Sequence, residues 1–156
     1  MHICERTRGE VRDSRCMDHQ GAENKGKQMA SVVPVAKALT VCDYHVGYSN
    51  GKVDLYGLFN AIRSQTGFPY TRGRFCVFAQ LINGLGHMPF FIDIRFAETD
   101  ELVWTTEVRQ LQFPDRTTIV QMAMTIEGCR FERPGLYVLE LFCDNTWVSD
   151  TQVLLR

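Results

Sequence analysis

The chain has 156 residues, 45% of them hydrophobic and 22% charged, with 17 Lys/Arg against 18 Asp/Glu for a formal net charge of −1. This length predicts one domain plus a tail, large enough to hold a core without metal or disulfides. The near-even charge disfavours a dedicated nucleic-acid binder or a polybasic membrane-surface protein, and no apolar run approaches the ~18 residues of a spanning helix.

Residues 1–34 stand apart as a polar tail, read as disordered or as mis-annotated sequence. Up to Lys27 it holds six Lys/Arg and five Asp/Glu, about +1, leaving the remainder about −2. It shows neither the period of a strand nor that of a helix. It also lacks the apolar stretch of a signal peptide, so the expected location is cytoplasmic. Met29-Ala30-Ser31 resembles a natural start, which would make residues 1–28 an over-extended translation. His2, Cys4, Cys16 and His19 put four metal-ligand types inside nineteen residues, but neither pair has Cys-x-x-Cys spacing and no packed element flanks them. No metal site is predicted. Cys42, Cys76, Cys129 and Cys143 match neither a disulfide framework nor a zinc ribbon and are expected to be small buried hydrophobes.

Residues 35–156 read as a single all-β domain: an antiparallel β-sandwich of about seven to nine strands. Ala38–Val46 alternates and enters Ser49-Asn50-Gly51-Lys52, where Asn-Gly signals a tight hairpin. Counting back from a two-residue turn pairs Val46 with Leu55 and sets Tyr44 over Gly57. Val53–Ile62 is read as the returning strand, although Leu55, Leu58, Phe59 and Ile62 also fit a helical period. Arg63–Gly73 is predicted as a loop. Arg74–Ile82 follows, with Phe75, Val77, Ala79 and Leu81 on one face and Cys76, Phe78 and Ile82 on the other, so it is expected to be central or covered. His87–Ala97 places Phe90, Ile92, Ile94 and Phe96 inward. Leu102–Val108, Thr118–Glu127, Leu136–Cys143 and Trp147–Leu155 complete the set, with Phe113-Pro114-Asp115 read as connection. Tyr137, just after Pro134-Gly135, has the placement of a tyrosine corner.

Cys42-Asp43-Tyr44, Leu55-Tyr56-Gly57-Leu58-Phe59-x-x-Ile62, Gly67-Phe68-Pro69, Arg74-Phe75-x-Val77 and Pro134-Gly135-x-Tyr137-x-x-Glu140-Leu141 occur in order. Across roughly residues 38–155 the chain resembles a family of small bacterial cytoplasmic proteins of unknown function. The resemblance implies an immunoglobulin-like sandwich and implies no activity, cofactor or catalytic residue.

Chemistry is sparse. Cys42 and His45, three apart on a strand, should face opposite ways and form no dyad. There is no Gly-x-Ser-x-Gly elbow and no phosphate-binding glycine loop. The segment Arg63, Phe68, Tyr70, Arg72 and Arg74 mixes the aromatics and arginines enriched in binding hot spots, and loops at a sandwich end commonly carry binding. The bland alternative is that Phe68 and Tyr70 cap the core. The sequence therefore predicts a non-enzymatic module that binds an unidentified protein, or a second copy of itself, through loops or an exposed sheet face or edge, with no cofactor. Two rivals remain: a small-ligand binder or small enzyme with a pocket near Asp43, His45 and Arg95, and a structural subunit of a larger assembly.

Overall fold

The computed structural model describes residues 31–156, so the tail's ligand types and its proposed start site lie outside the described residues. Ten strands follow in order: β1 (Val35–Gly47), β2 (Val53–Leu58), β3 (Ala61–Ile62), β4 (Tyr70–Ile82), β5 (Gly86–Phe96), β6 (Glu101–Thr105), β7 (Arg109–Phe113), β8 (Val120–Phe131), β9 (Gly135–Cys143) and β10 (Thr146–Leu155). One sheet runs β2-β1-β4-β8. The other runs β3-β10-β9-β5-β6, with β7 also paired to β5. All pairings are antiparallel except the short β3–β10 contact. Among the described residues no helix is long and apolar enough to cross a membrane.

Alternation with period two builds the core. Val77, Ala79 and Leu81 from β4 and Met122, Met124 and Ile126 from β8 meet Ile92 and Ile94 from β5 and Leu139 and Leu141 from β9 in one continuous apolar cluster. On β8 the buried positions change phase, from Ile126 to Cys129 and Phe131, across Gly128, whose φ of 68° suits glycine. The phase of β4 changes at the same rung. Arg72 opposes Cys129, Arg74 opposes Glu127, and Gly73 lies between them. Both strands shift together, so the ladder keeps its register.

The tyrosine corner is present. Tyr137 is buried, and its hydroxyl donates to the Arg133 carbonyl at 2.9 Å. Gly135 makes the corner possible: its φ is 141°, and a Cβ there would stand 2.6 Å from the Phe96 ring. The Arg133 guanidinium covers that ring from 4.5 Å and pairs with Glu101.

Several expectations are corrected. Ten strands replace the seven to nine predicted, and the domain starts earlier than residue 35: Val32 bridges Leu85, and Val33 packs on the core. The Asn-Gly turn is not the two-residue type. Tyr48 pairs with Lys52 around Ser49-Asn50-Gly51, Gly51 N–H donates to the Tyr48 carbonyl at 3.0 Å, and Gly51 takes a φ of 79°. Asn50 does not share that conformation, so this is a three-residue loop closed by a glycine bulge. Register therefore shifts by one: Val46 opposes Asp54, and Tyr44 opposes Tyr56 rather than Gly57. Val53–Ile62 is extended as predicted but is split. It leaves the first sheet after Leu58 and joins the second at Ala61. The predicted loop also ends early, because β4 begins at Tyr70. Phe113, read as the start of a connection, instead ends β7 (Arg109–Phe113), which continues the edge that β6 begins after a break at Thr106–Val108.

Candidate functional site

The five residues singled out from sequence do not form one exposed loop surface. Phe68 and Tyr70 are half-buried and pack against the core. Tyr70, Arg72 and Arg74 lie on β4. Arg72 turns toward the place where the chain crosses between sheets. It lies 4.8 Å above the Phe59 ring and donates to Asp43 at 2.5 Å. Gly57, opposite Asp43, has a φ of 65°, and a Cβ there would fall 2.1 Å from Asp43 Oδ2. Gly57, Asp43, Arg72 and Phe59 thus form one structural corner. Arg63 and Arg74 are exposed, and Arg74 approaches Glu127 only to 3.9 Å.

The alternative trio is also separated. Asp43 is engaged by Arg72. Arg95 sits on the second sheet among Asp93, Asp100 and Glu140, at 3.4, 3.8 and 3.0 Å. His45 goes elsewhere again. Past Cys42, the β1–β2 hairpin folds over the outer face of its own sheet. His45 Nδ1 reaches Cys76 Sγ at 3.4 Å. His45, Gly47, Lys52 and Val53 face Phe78 and Ala123 across a cleft of about 310 Å³. This cover explains why Cys76 and Phe78, on the face of β4 turned away from the core, are buried. Sequence spacing kept His45 away from Cys42 but could not show that it meets Cys76, 31 residues on. The apolar second face of β4 was the signal that something covers it.

Burial pushes the Cys76, Cys129 and Cys143 thiols up to about 12, and it raises Cys42 as well. At neutral pH such thiols rest protonated and react slowly. A second cleft, of about 400 Å³, lies along the seam between the sheets at Trp104, Glu107, Arg109 and Glu127.

The opposite face of the hairpin is its most distinctive surface. Tyr44, Val46 and Tyr48 alternate along one arm, and Tyr56 and Asp54 directly oppose Tyr44 and Val46 on the other, so these side chains share one face of the hairpin. Tyr44, Tyr48, Tyr56 and Leu58 remain 49, 47, 41 and 62% exposed. The Tyr44 and Tyr56 rings stack at 4.7 Å with 9° between their planes. Asp54 Oδ2 accepts from the Tyr48 hydroxyl at 2.7 Å and from Tyr56 at 3.4 Å, and this carboxylate raises the Tyr48 phenol above its usual range. β2 is an edge strand with a partner on one side only, so its backbone is open alongside these rings.

No curated protein matches the chain. Residues 37–156, from within β1 to the end of the given sequence, match the model of a family of unknown function, DUF6941. The chain belongs to that family.

Proposed function

We propose that this protein is a non-enzymatic recognition module that binds a protein partner through the tyrosine face and open edge of the β1–β2 hairpin. The observation that carries the reading is the set of three half-exposed tyrosines on one face of an edge hairpin, two stacked and two held by Asp54. Tyrosine supplies a large contact area at low side-chain entropy cost, which is why it is frequent in binding surfaces. An open strand edge adds main-chain hydrogen bonds to such a contact. The protonated, buried thiols and the dispersal of Asp43, His45 and Arg95 speak against an enzyme. The sandwich is immunoglobulin-like on this reading: β1-β4-β8 faces β10-β9-β5-β6, and the Tyr137 corner stands before β9's buried run. Free cysteines fit a reducing, cytoplasmic setting.

The test is a triple substitution, Tyr44→Ser, Tyr48→Ser and Tyr56→Ser, compared with the unaltered chain in quantitative capture from the native cell. The module reading expects specific partners to be lost while circular dichroism is unchanged. Equal capture by both proteins overturns it. A small-ligand reading is favoured by one observation, the cleft beside His45. It predicts a thermal shift with a small polar metabolite that is abolished by His45→Ala.

A further inference from the structure

Cys42 and Cys76 stand directly opposite each other on β1 and β4, at the last rung before the hairpin leaves the sheet. Opposed residues of antiparallel strands have Cα atoms about 4.5–5.5 Å apart, inside the range of about 4.4–6.8 Å that a disulfide bridges. The imidazole of His45 stands beside this pair, its Nδ1 3.4 Å from Cys76 Sγ. The other two described cysteines lack this arrangement. Cys129 opposes Arg72, and Cys143 opposes Phe90 and Thr146. Nor do the three groups converge as metal ligands, since no cluster of three such side chains among the described residues is placed to hold an ion.

We propose that Cys42 and Cys76 form a thiol-modification site, a reversible cross-strand disulfide made by hydroperoxide at the root of the hairpin, with His45 as the proton acceptor. His45 Nδ1 takes the Cys76 proton, and the thiolate attacks one peroxide oxygen. The O–O bond breaks, and the departing oxygen leaves as water or alcohol with the proton from His45. Cys76 is now a sulfenic acid. Cys42 Sγ attacks its sulfur, the S–S bond forms, and the hydroxyl departs as water with the Cys42 proton. Two thiols lose two electrons, and one peroxide gains them. Burial, which pushes Cys76 up to about 12, slows the reaction, and the finished bond ties β1 to β4 where the hairpin departs. None of this depends on the hairpin tyrosines binding a partner.

The experiment uses the full chain carrying Cys4→Ser and Cys16→Ser, reduced, freed of reductant, exposed to hydrogen peroxide, alkylated and mapped by mass spectrometry. The expected product has lost two hydrogens, contains a peptide linking Cys42 to Cys76, forms before any change at Cys129 or Cys143, and reverts with dithiothreitol. In Cys42→Ser, Cys76 should stop at a sulfenic acid trapped by dimedone, a readout that does not need the disulfide. His45→Gln should slow linkage several-fold with circular dichroism unchanged. Recovery of Cys42 and Cys76 as free thiols under conditions that oxidise Cys129 or Cys143 overturns the proposal. An unchanged rate in His45→Gln overturns the role given to the imidazole.

Discussion

Two hairpins of this sandwich resemble each other on paper and differ in every physical respect. The β9–β10 hairpin turns through Asp144-Asn145, both with positive φ (51° and 56°), and pairs Cys143 with Thr146 across a two-residue loop. It directs Tyr137, Leu139, Leu141 and Cys143 into the core. The β1–β2 hairpin turns through three residues with Gly51 alone in the left-handed region. It leaves the core after Val41, lays one face on the outside of its own sheet, and presents the other to solvent. One hairpin is held by burial on a shared core, and the other only by a thin outer layer. A fold whose stability rests on the first leaves the second available for recognition.

That contrast is open to attack, starting where the effect is largest. Leu141→Ala deletes a fully buried side chain of β9 and should lower stability by about 2–5 kcal/mol, read from the urea midpoint. Gly135→Ala forces a Cβ against Phe96 at an unfavourable φ and should cost about 1–3 kcal/mol. Tyr137→Phe leaves the Arg133 carbonyl without its donor and should cost about 1–2 kcal/mol. It should also alter the alkaline limb. Burial raises the Tyr137 phenol above its usual 10.0, so the folded state holds that proton more tightly than the unfolded chain. Stability from this group is full below about pH 10 and is lost as pH rises through the folded value, and Tyr137→Phe should remove that part of the slope. On the other hairpin, the triple tyrosine-to-serine protein should lose no more than about 1 kcal/mol, the scale of an exposed cross-strand pair. A loss as large as that of Leu141→Ala would show the tyrosine face to be structural. The smallest effect concerns Asp115. Hydrogen bonds from Thr117 and Thr118 hold its carboxyl below the usual 3.8. Its contribution is present above that value and disappears as pH falls through the lower, folded one. Asp115→Asn should therefore slightly flatten the melting-temperature profile on the acid side.

What was legible in the sequence was what period two controls. The inward faces of β4, β5, β8 and β9 follow directly from alternation, and Pro134-Gly135-x-Tyr137 announced its corner. The β1–β2 register was not legible, because it depends on whether Asn50 joins Gly51 at positive φ, and either outcome suits Asn-Gly. The sheet switch at Phe59-Asn60 was hidden because Leu55, Leu58, Phe59 and Ile62 are apolar on both sides of it. In β7, Leu111 and Phe113 did alternate, but the strand is only five residues long and Pro114 follows it, so Phe113-Pro114-Asp115 read more readily as connection. Of the candidate surface, Phe68 and Tyr70 have the composition of a hot spot but the position of core caps. The tyrosines of the hairpin were visible as residues, yet their shared exposure depends on the hairpin folding back over Cys76 and Phe78. That is a tertiary event no local pattern encodes.

The central claim, that recognition belongs to the hairpin and not to the segment around Phe68, is tested most directly by site-specific photo-crosslinking in the native cell. A benzoylphenylalanine is placed at Tyr56 in one protein and at Phe68 in another. Discrete adducts from position 56 and none from 68 are the predicted result. Adducts from 68 alone, or from neither position, would contradict the account.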